Sequence, residues 1–200
     1  MTFLDYIRQN ATELLGFLTG AACVWLIVKE NIWNWPIGIA NNIFFIFLFF
    51  RAGLFADVGL QGFYIVIGLY GWWHWLHGGR GESELPISRT GPVEGLLLLA
   101  GTGALTAILA LLLIRFTPST VPWWDALTTA ISITAQWMMA RKKLEHWVFW
   151  IVTDALSIGL FIYKHLYLTA ALYFIFGIMC AVGLMQWTRT WRNEQSPEAA

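Results

Sequence analysis

Seven long apolar runs, separated by short polar segments, dominate this chain of 200 residues. A helix needs about 20 apolar residues to cross a bilayer, with a range of about 17–25. Only 12% of the residues are charged, about half of the roughly 25% usual in soluble domains. We therefore predict an all-α integral membrane protein with seven transmembrane helices, over residues 11–28, 35–50, 57–76, 92–116, 124–140, 147–163 and 168–187.

The basic residues predict how these helices are oriented. Four lie on the side of the N-terminus: Arg8, Arg51, Arg115 and Lys164. Eight lie on the other side: Lys29, Arg80, Arg89, Arg141, Lys142, Lys143, Arg189 and Arg192. Because cytoplasmic loops carry an excess of Lys and Arg, we expect the N-terminus outside and the C-terminus in the cytoplasm.

The chain also matches itself at one constant offset, which we call the repeat offset and define as the shift that carries Trp35 onto Trp147. The same shift carries Trp25 onto Trp137, Lys29 onto Arg141, and Trp75 onto Trp187. Chance matching explains pairs of Leu or Ile better than it explains these. The offset predicts two parallel triple-helix repeats joined by a linker helix (3+1+3), with boundaries at 1–91, 92–116 and 117–200, and a polar loop over 77–91. Transporters built in this way bind substrate between the repeats near the midplane.

Polar residues inside the predicted spans are the candidates for a substrate site. Asp154 and Thr153 align with Asn42 and Asn41 at the same depth in the two repeats. Intramembrane ionisable residues mark functional sites by default, although an interhelical hydrogen bond is the alternative role for Asp154. The other polar candidates within the spans are Gln61, Gln136 and Tyr173.

Two tryptophans accompany Asp154 on its helix. Trp147, Trp150 and Asp154 are spaced i, i+3 and i+7, which places them on one stripe. A flat indole beside a hydrogen-bond acceptor suits a planar ring that carries hydroxyls, and a cationic ring gains a further attraction from the indole face. The alternatives are that Trp147 anchors the helix at the interface and that Trp150 only packs. The four histidines show no metal-ligand spacing, so we expect them to be solvated or interfacial.

Four segments together resemble the Pnu vitamin transporters, best known from the PnuC nicotinamide riboside transporters: "NWPIGIANNIFF", "LFADVGLQGFYIVIGLYGWWHW", "WWDALTTAISITAQWMMARKKLEHWVFWIVTD" and "YLTAALYFIFGIMCAVGLMQW". The resemblance covers roughly residues 12–190 and includes the W-x-x-x-[N/D] element of that family as Trp150 and Asp154. Gln61 matches a glutamine of the family. Some members have Asn where this chain has Asp154.

The resemblance implies uptake of a vitamin-type nucleoside across the bacterial cytoplasmic (inner) membrane by facilitated diffusion, with trapping by cytoplasmic phosphorylation. It makes nicotinamide riboside the expected substrate, with thiamine or another related vitamin, and proton-coupled uptake through Asp154, as alternatives. It also suggests a homotrimer, which no residue in the chain indicates. We expect no cofactor and no nucleic-acid partner, because the chain has neither a metal motif nor a basic stripe.

Two other classes of membrane protein fit the sequence less well. A membrane enzyme is disfavoured because the chain has no paired Glu/His metal motif and no G-x-S-x-G. A retinal protein would need a lysine in the last span for its Schiff base, and residues 168–187 contain none.

Overall fold

The computed structural model describes residues 11–51 and 55–195, with side chains at 18–47, 50–51 and 58–195. Arg8, one of the basic residues that predict the orientation, lies outside this part of the chain. Seven α-helices form within it, as predicted: α1 Ala11–Val28, α2 Asn34–Arg51, α3 Phe55–His77, α4 Pro92–Phe116, α5 Pro122–Ala140, α6 His146–Tyr163 and α7 Tyr167–Glu194.

The helix ends agree with the sequence prediction within two residues, except at the end of α7. There the helix continues to Glu194, beyond the predicted end at residue 187. The extension is polar, and the Arg89 guanidinium lies 5.5 Å from the centre of the Trp191 ring. Hydropathy predicts where the apolar stretch stops, but a helix with a packing partner continues past the bilayer surface.

Three of the described helices, α4, α6 and α7, are long and apolar enough to cross a membrane on length and composition alone. Of these three, α4 has the highest mean hydropathy, and its outer face exposes leucines that include Leu96, Leu97 and Leu111. In contrast, α2 contains Asn41 and Asn42, and α5 contains Gln136. These polar side chains lower the hydropathy of two helices that neighbouring helices partly shield from lipid.

Six of the helices form a closed ring by their packing contacts. The order around the ring is α1, α2, α3, α5, α6 and α7, and α7 packs back on α1. The helix α4 lies outside the ring against α5, where the hydroxyls of Thr102 and Thr134 are 2.7 Å apart. The ring therefore surrounds a central space, to which α4 contributes no wall.

A buried aromatic cluster closes one end of the ring. It consists of Trp35, Trp75, Trp147, Trp187 and His146, all at most 3% exposed. Trp35 and Trp75 meet edge to face at 5.4 Å, and Trp147 and Trp187 do so at 5.7 Å. The loop between α3 and α4 passes beside this end, where the Ser88 N–H donates to the Lys142 carbonyl at 3.0 Å. We call this end of the ring, defined by these five side chains, the closed end.

Many contacts at the closed end have a counterpart at the repeat offset. The Trp75 indole donates to the carbonyl of Met139 at 3.0 Å, and the Trp187 indole donates to that of Ile27 at 3.0 Å. Lys29 lies over the Trp25 ring, as Arg141 lies over the Trp137 ring.

The backbone shows the same correspondence just after α1 and just after α5. Glu30 and Lys142, which are also related by the repeat offset, both adopt a positive φ, of 53° and 46°. Their side chains pair with each other, with Lys142 Nζ 3.3 Å from Glu30 Oε2. Two residues at equivalent positions of the sequence therefore meet at the closed end.

Candidate functional site

The ring of six helices encloses a cavity of about 390 Å³, which lies within the range of about 300–1,000 Å³ usual for small-molecule sites. Each ring helix contributes to its wall, including Cys23 on α1 and Tyr64 on α3. At the closed end the lining residues are buried, whereas Asn41, Asn42 and Tyr173 are only half-buried. The cavity is therefore most tightly covered at the closed end.

Asp154 is the one acidic residue among the described residues that line the cavity. Its side chain is buried, and the Cys180 thiol of α7 donates to Oδ2 at 3.6 Å. No Lys or Arg in the described chain lines the cavity or forms an ion pair with Asp154. A buried carboxylate that lacks a basic partner is costly unless a ligand or a proton compensates its charge.

The helix α6 presents a continuous stripe to the cavity. His146, Trp150 and Asp154 are four residues apart, so they lie on one face of the helix, and all three line the cavity. Trp147 lines it as well. An aromatic face is therefore placed one helical turn from a carboxylate.

Polar side chains from other helices complete the wall. Asn41 and Asn42 come from α2, Ser132 and Gln136 from α5, and Tyr64 and Tyr173 from α3 and α7. The Thr19 hydroxyl donates to Asn41 Oδ1 at 3.4 Å. These amides and hydroxyls both donate and accept hydrogen bonds, which suits a ligand that carries several hydroxyls.

Seven of the nine residues predicted from the sequence line the cavity: Asn41, Asn42, Gln136, Trp147, Trp150, Asp154 and Tyr173. Gln61 and Thr153 are not among the lining residues. The Thr153 hydroxyl instead donates to the Phe149 carbonyl of its own helix at 3.0 Å. Any role of Gln61 and Thr153 in binding stays a prediction.

The structure corrects the expectation for His146, which we predicted to be solvated or interfacial. Its side chain is 0% exposed, and its ring lies 4.5 Å from that of Trp147 and 4.8 Å from that of Trp187. Trp147, for which an interfacial anchor was the alternative, is 1% exposed. Both rings are buried because α7 brings Trp187 and Gly183 against the start of α6.

Several lining residues were not singled out by the sequence prediction, among them Asn34, His146 and Ser132. A signal for each was present. Ser132 precedes Gln136 by one helical turn, His146 precedes Trp150 by one turn, and Asn34 precedes His146 by the repeat offset.

Charged residues near the closed end are paired outside the cavity. Arg89 Nε lies 2.9 Å from Glu145 Oε1, and the Thr90 N–H donates to Glu145 Oε2 at 2.8 Å. Burial acts to raise the pKa of Glu145, but the hydrogen bonds from Thr90 and Arg89 outweigh it, so the pKa lies below its ordinary value. The stabilisation from this contact is present at neutral pH and is lost as the pH falls through the lowered pKa.

A ring of apolar helices around a cavity of this size, lined by apolar and aromatic side chains with a few polar groups, is the arrangement of a solute transporter in a membrane. The chain belongs to the nicotinamide mononucleotide transporter family, whose sequence model matches residues 10–189.

Two relatives and one solved structure carry the names of transporters, not of enzymes. The nicotinamide riboside transporter PnuC of Escherichia coli (strain K12) is 25% identical, over 92% of this chain and 87% of its own length. The riboflavin/roseoflavin transporter RibM of Streptomyces davaonensis is 23% identical, over 93% of this chain and 88% of its own. The crystal structure of the vitamin B3 transporter PnuC superposes with a TM-score of 0.70 at 22% identity, covering 95% of this chain and 87% of that one. This protein is accordingly a membrane transporter of a small vitamin-type molecule.

Proposed function

We propose that this transporter takes up nicotinamide riboside, or a vitamin nucleoside closely similar to it, by facilitated diffusion. Phosphorylation in the cytoplasm then traps the vitamin. The observation that carries the proposal is the buried carboxylate of Asp154, which lines the cavity one turn from Trp150 and has no basic partner among the described residues.

The cavity has no positive charge to balance Asp154 in the described part of the chain, and nicotinamide riboside supplies one. Its pyridinium ring is cationic and planar, so it is attracted both to the carboxylate of Asp154 and to the indole face of Trp150. A cation over an indole gains about 0.5–2 kcal/mol, with the larger value where water is excluded. The ribosyl hydroxyls then have partners in the amides of Asn41, Asn42 and Gln136 and the hydroxyl of Tyr173.

The charges of the cavity favour a nucleoside over its phosphorylated form. No Lys or Arg lines the cavity in the described part of the chain, so no strong phosphate-binding side chain is at hand. A phosphate placed in the same cavity would also be repelled by the carboxylate of Asp154. We therefore expect the mononucleotide to be excluded.

A binding screen on the purified protein tests the substrate. We expect nicotinamide riboside to bind more tightly than thiamine, riboflavin or uridine, and nicotinamide mononucleotide to show no binding by isothermal titration calorimetry. Uridine is the control for a neutral nucleoside, and thiamine is the control for a cationic ring without ribose. Tighter binding of riboflavin, the substrate in the name of one relative, would contradict the proposal.

We also propose that the ring is built from two parallel three-helix repeats, 1–91 and 117–200, with 92–116 as the linker helix. The support is that contacts on one half have equivalents on the other. In one case Gly71 faces Trp35, as Gly183 faces Trp147. In another, the Trp75 indole donates to the Met139 carbonyl and the Trp187 indole donates to the Ile27 carbonyl, so the two donors are related by the repeat offset.

The orientation proposal places the closed end in the cytoplasm. That end lies beside the eight basic residues of the predicted inner side, including Lys142 and Lys143. The conformation described here is then closed to the cytoplasm, and the closed end must open for release. When a reporter that is active only in the cytoplasm is fused after residue 200, we expect it to be active. Activity of a reporter that works only in the periplasm, fused at the same position, would reverse the assignment.

A further inference from the structure

Three ring nitrogens at the closed end have no hydrogen-bond partner in the described part of the chain. They are Nε1 of Trp35, Nε1 of Trp147 and Nε2 of His146, and all three atoms are buried. Buried polar atoms in native proteins are nearly always paired. All three side chains also line the cavity, so the unpaired atoms are concentrated at one place on its wall.

The hydrogen-bonding character of each atom follows from its surroundings. An indole Nε1–H only donates, so Trp35 and Trp147 supply two donors. His146 Nδ1 lies 2.7 Å from the Lys143 carbonyl oxygen, which only accepts, so Nδ1 carries the proton. The ring is fully buried and no carboxylate pairs with it within the described residues, so it is neutral and Nε2 is a free acceptor.

We propose that these two donors and one acceptor form a second polar subsite, which pairs with the carboxamide group of the substrate as it passes the closed end. A carboxamide carries the complementary set, because its oxygen has two lone pairs and its nitrogen has two N–H groups. The inference rests on the proposed function, since it takes nicotinamide riboside as the substrate.

The position of the subsite fits a molecule held first at Asp154. His146 precedes Asp154 by eight residues on α6, which is a rise of about 12 Å along the helix. Trp150 lies midway between them and offers its indole face to the ring of the substrate. A substrate that leaves Asp154 towards the closed end therefore passes Trp150 and then reaches His146.

The burial of the three atoms determines when the subsite acts. They are covered by the aromatic cluster while the closed end is shut, so a carboxamide reaches them only when the cluster loosens. The subsite then stabilises the passing substrate during translocation and contributes nothing to its initial binding. Loss of the subsite is expected to slow transport without weakening equilibrium affinity.

The test compares two probes in a variant that lacks both indole N–H groups. The double variant Trp35→Phe/Trp147→Phe keeps a ring at each position and deletes both N–H groups. In proteoliposomes we expect its maximal uptake rate for nicotinamide riboside to fall by roughly tenfold, the effect expected from losing one or two hydrogen bonds. Its affinity for nicotinamide riboside should fall by less than its uptake rate does, because both N–H groups are covered while the closed end is shut. Uptake of N-ribosylpyridinium, which has no carboxamide, should be slowed less than uptake of nicotinamide riboside. Trp123→Phe, at a side chain that is 56% exposed, is the matched control and should change neither rate.

Three outcomes would overturn the subsite: an unchanged rate for nicotinamide riboside, an equal loss for both ribosides, or a loss of equilibrium affinity that parallels the loss of rate. If the double variant does not fold, the wild type still decides, because the subsite requires it to carry nicotinamide riboside at a higher maximal rate than N-ribosylpyridinium. Equal maximal rates overturn it. Failure of the proposed function is a separate result, in which the wild type binds neither riboside.

Discussion

Asp154→Ala is expected to abolish measurable binding of nicotinamide riboside while the protein still inserts and folds. Hydrogen bonds to a charged group contribute about 1.5–3 kcal/mol, or roughly 10- to 150-fold in affinity, and the attraction of the pyridinium charge adds to this. Folding should survive because the carboxylate has one protein partner in the described chain, the Cys180 thiol, which is a weak donor. Calorimetry on the purified variant measures the affinity, and wild-type affinity would show that Asp154 is not in the site.

Asp154→Asn separates the charge of this residue from its shape. The amide fills the same volume but has no negative charge, so affinity for the cationic ring should fall while any weak binding of neutral uridine is unchanged or improved. Asn42→Ala, at the position that the repeat offset carries onto Asp154, removes a neutral side chain of the same cavity and should cost less than Asp154→Ala. Equal losses from both alanine variants would argue against a role for the charge.

The wild type and Asp154→Asn together test whether uptake is coupled to protons. Facilitated diffusion predicts that a pH gradient across the proteoliposome leaves the initial rate of wild-type uptake unchanged. If the gradient instead drives accumulation in the wild type and not in Asp154→Asn, the carboxylate carries a proton, and the proposal of facilitated diffusion is wrong.

Gly183→Ala is expected to destabilise the protein and to weaken substrate binding together. A Cβ at this position would lie 2.5 Å from two atoms of the Trp147 ring, a distance that requires the ring to move. The ring is buried against Trp187 and lines the cavity, so we expect it to be displaced into the cavity. Overpacking of this kind costs about 1–3 kcal/mol, and sometimes more. Thermal unfolding in detergent and calorimetric affinity measure the two effects.

Two matched glycines make this prediction specific. Gly71→Ala should behave in the same way, because its Cβ would clash with the Trp35 ring. Gly103→Ala on α4 would meet nothing within 4 Å, and alanine is the better helix former by about 1 kcal/mol, so it should be neutral or stabilising. If all three variants unfolded at the wild-type temperature, the close packing of the tryptophans on α3 and α7 would be incorrect.

The sequence predicts the helices well because hydropathy depends mainly on local composition. The bounds of α1 and α4 agree with their predicted spans at both ends. The end of α7 could not be predicted from hydropathy, because its continuation depends on contacts such as that of Trp191 with Arg89, a residue on a distant loop. Apolar length predicts where a helix crosses lipid, and tertiary contacts determine where it ends.

In the candidate site, too, local sequence predicts some features and tertiary contacts determine the others. The periodicity of α6 correctly places Trp150 and Asp154 on the face that lines the cavity. Thr153 is not among the lining residues, and its hydroxyl donates to the Phe149 carbonyl of its own helix, a local contact that the periodicity does not predict. Tyr64 could not be selected among the tyrosines, because the rotation of α3 is set by the packing of Gly71 on Trp35. His146 is buried by Trp187, which lies on the next helix of the chain.

The two indole bonds that cross the ring also determine the order in which the protein can be completed during synthesis. The Trp75 indole needs the carbonyl of Met139, which is made 64 residues later, and the carbonyl of Ile27 waits 160 residues for the Trp187 indole. The first three helices therefore enter the bilayer before the Trp75 indole N–H has the carbonyl that it bonds in the finished ring. The Trp75 indole can pair once α5 is made, but the ring of helices closes only when α7 packs on α1 and the Trp187 indole reaches the Ile27 carbonyl, so the cavity is completed in the last step of biogenesis.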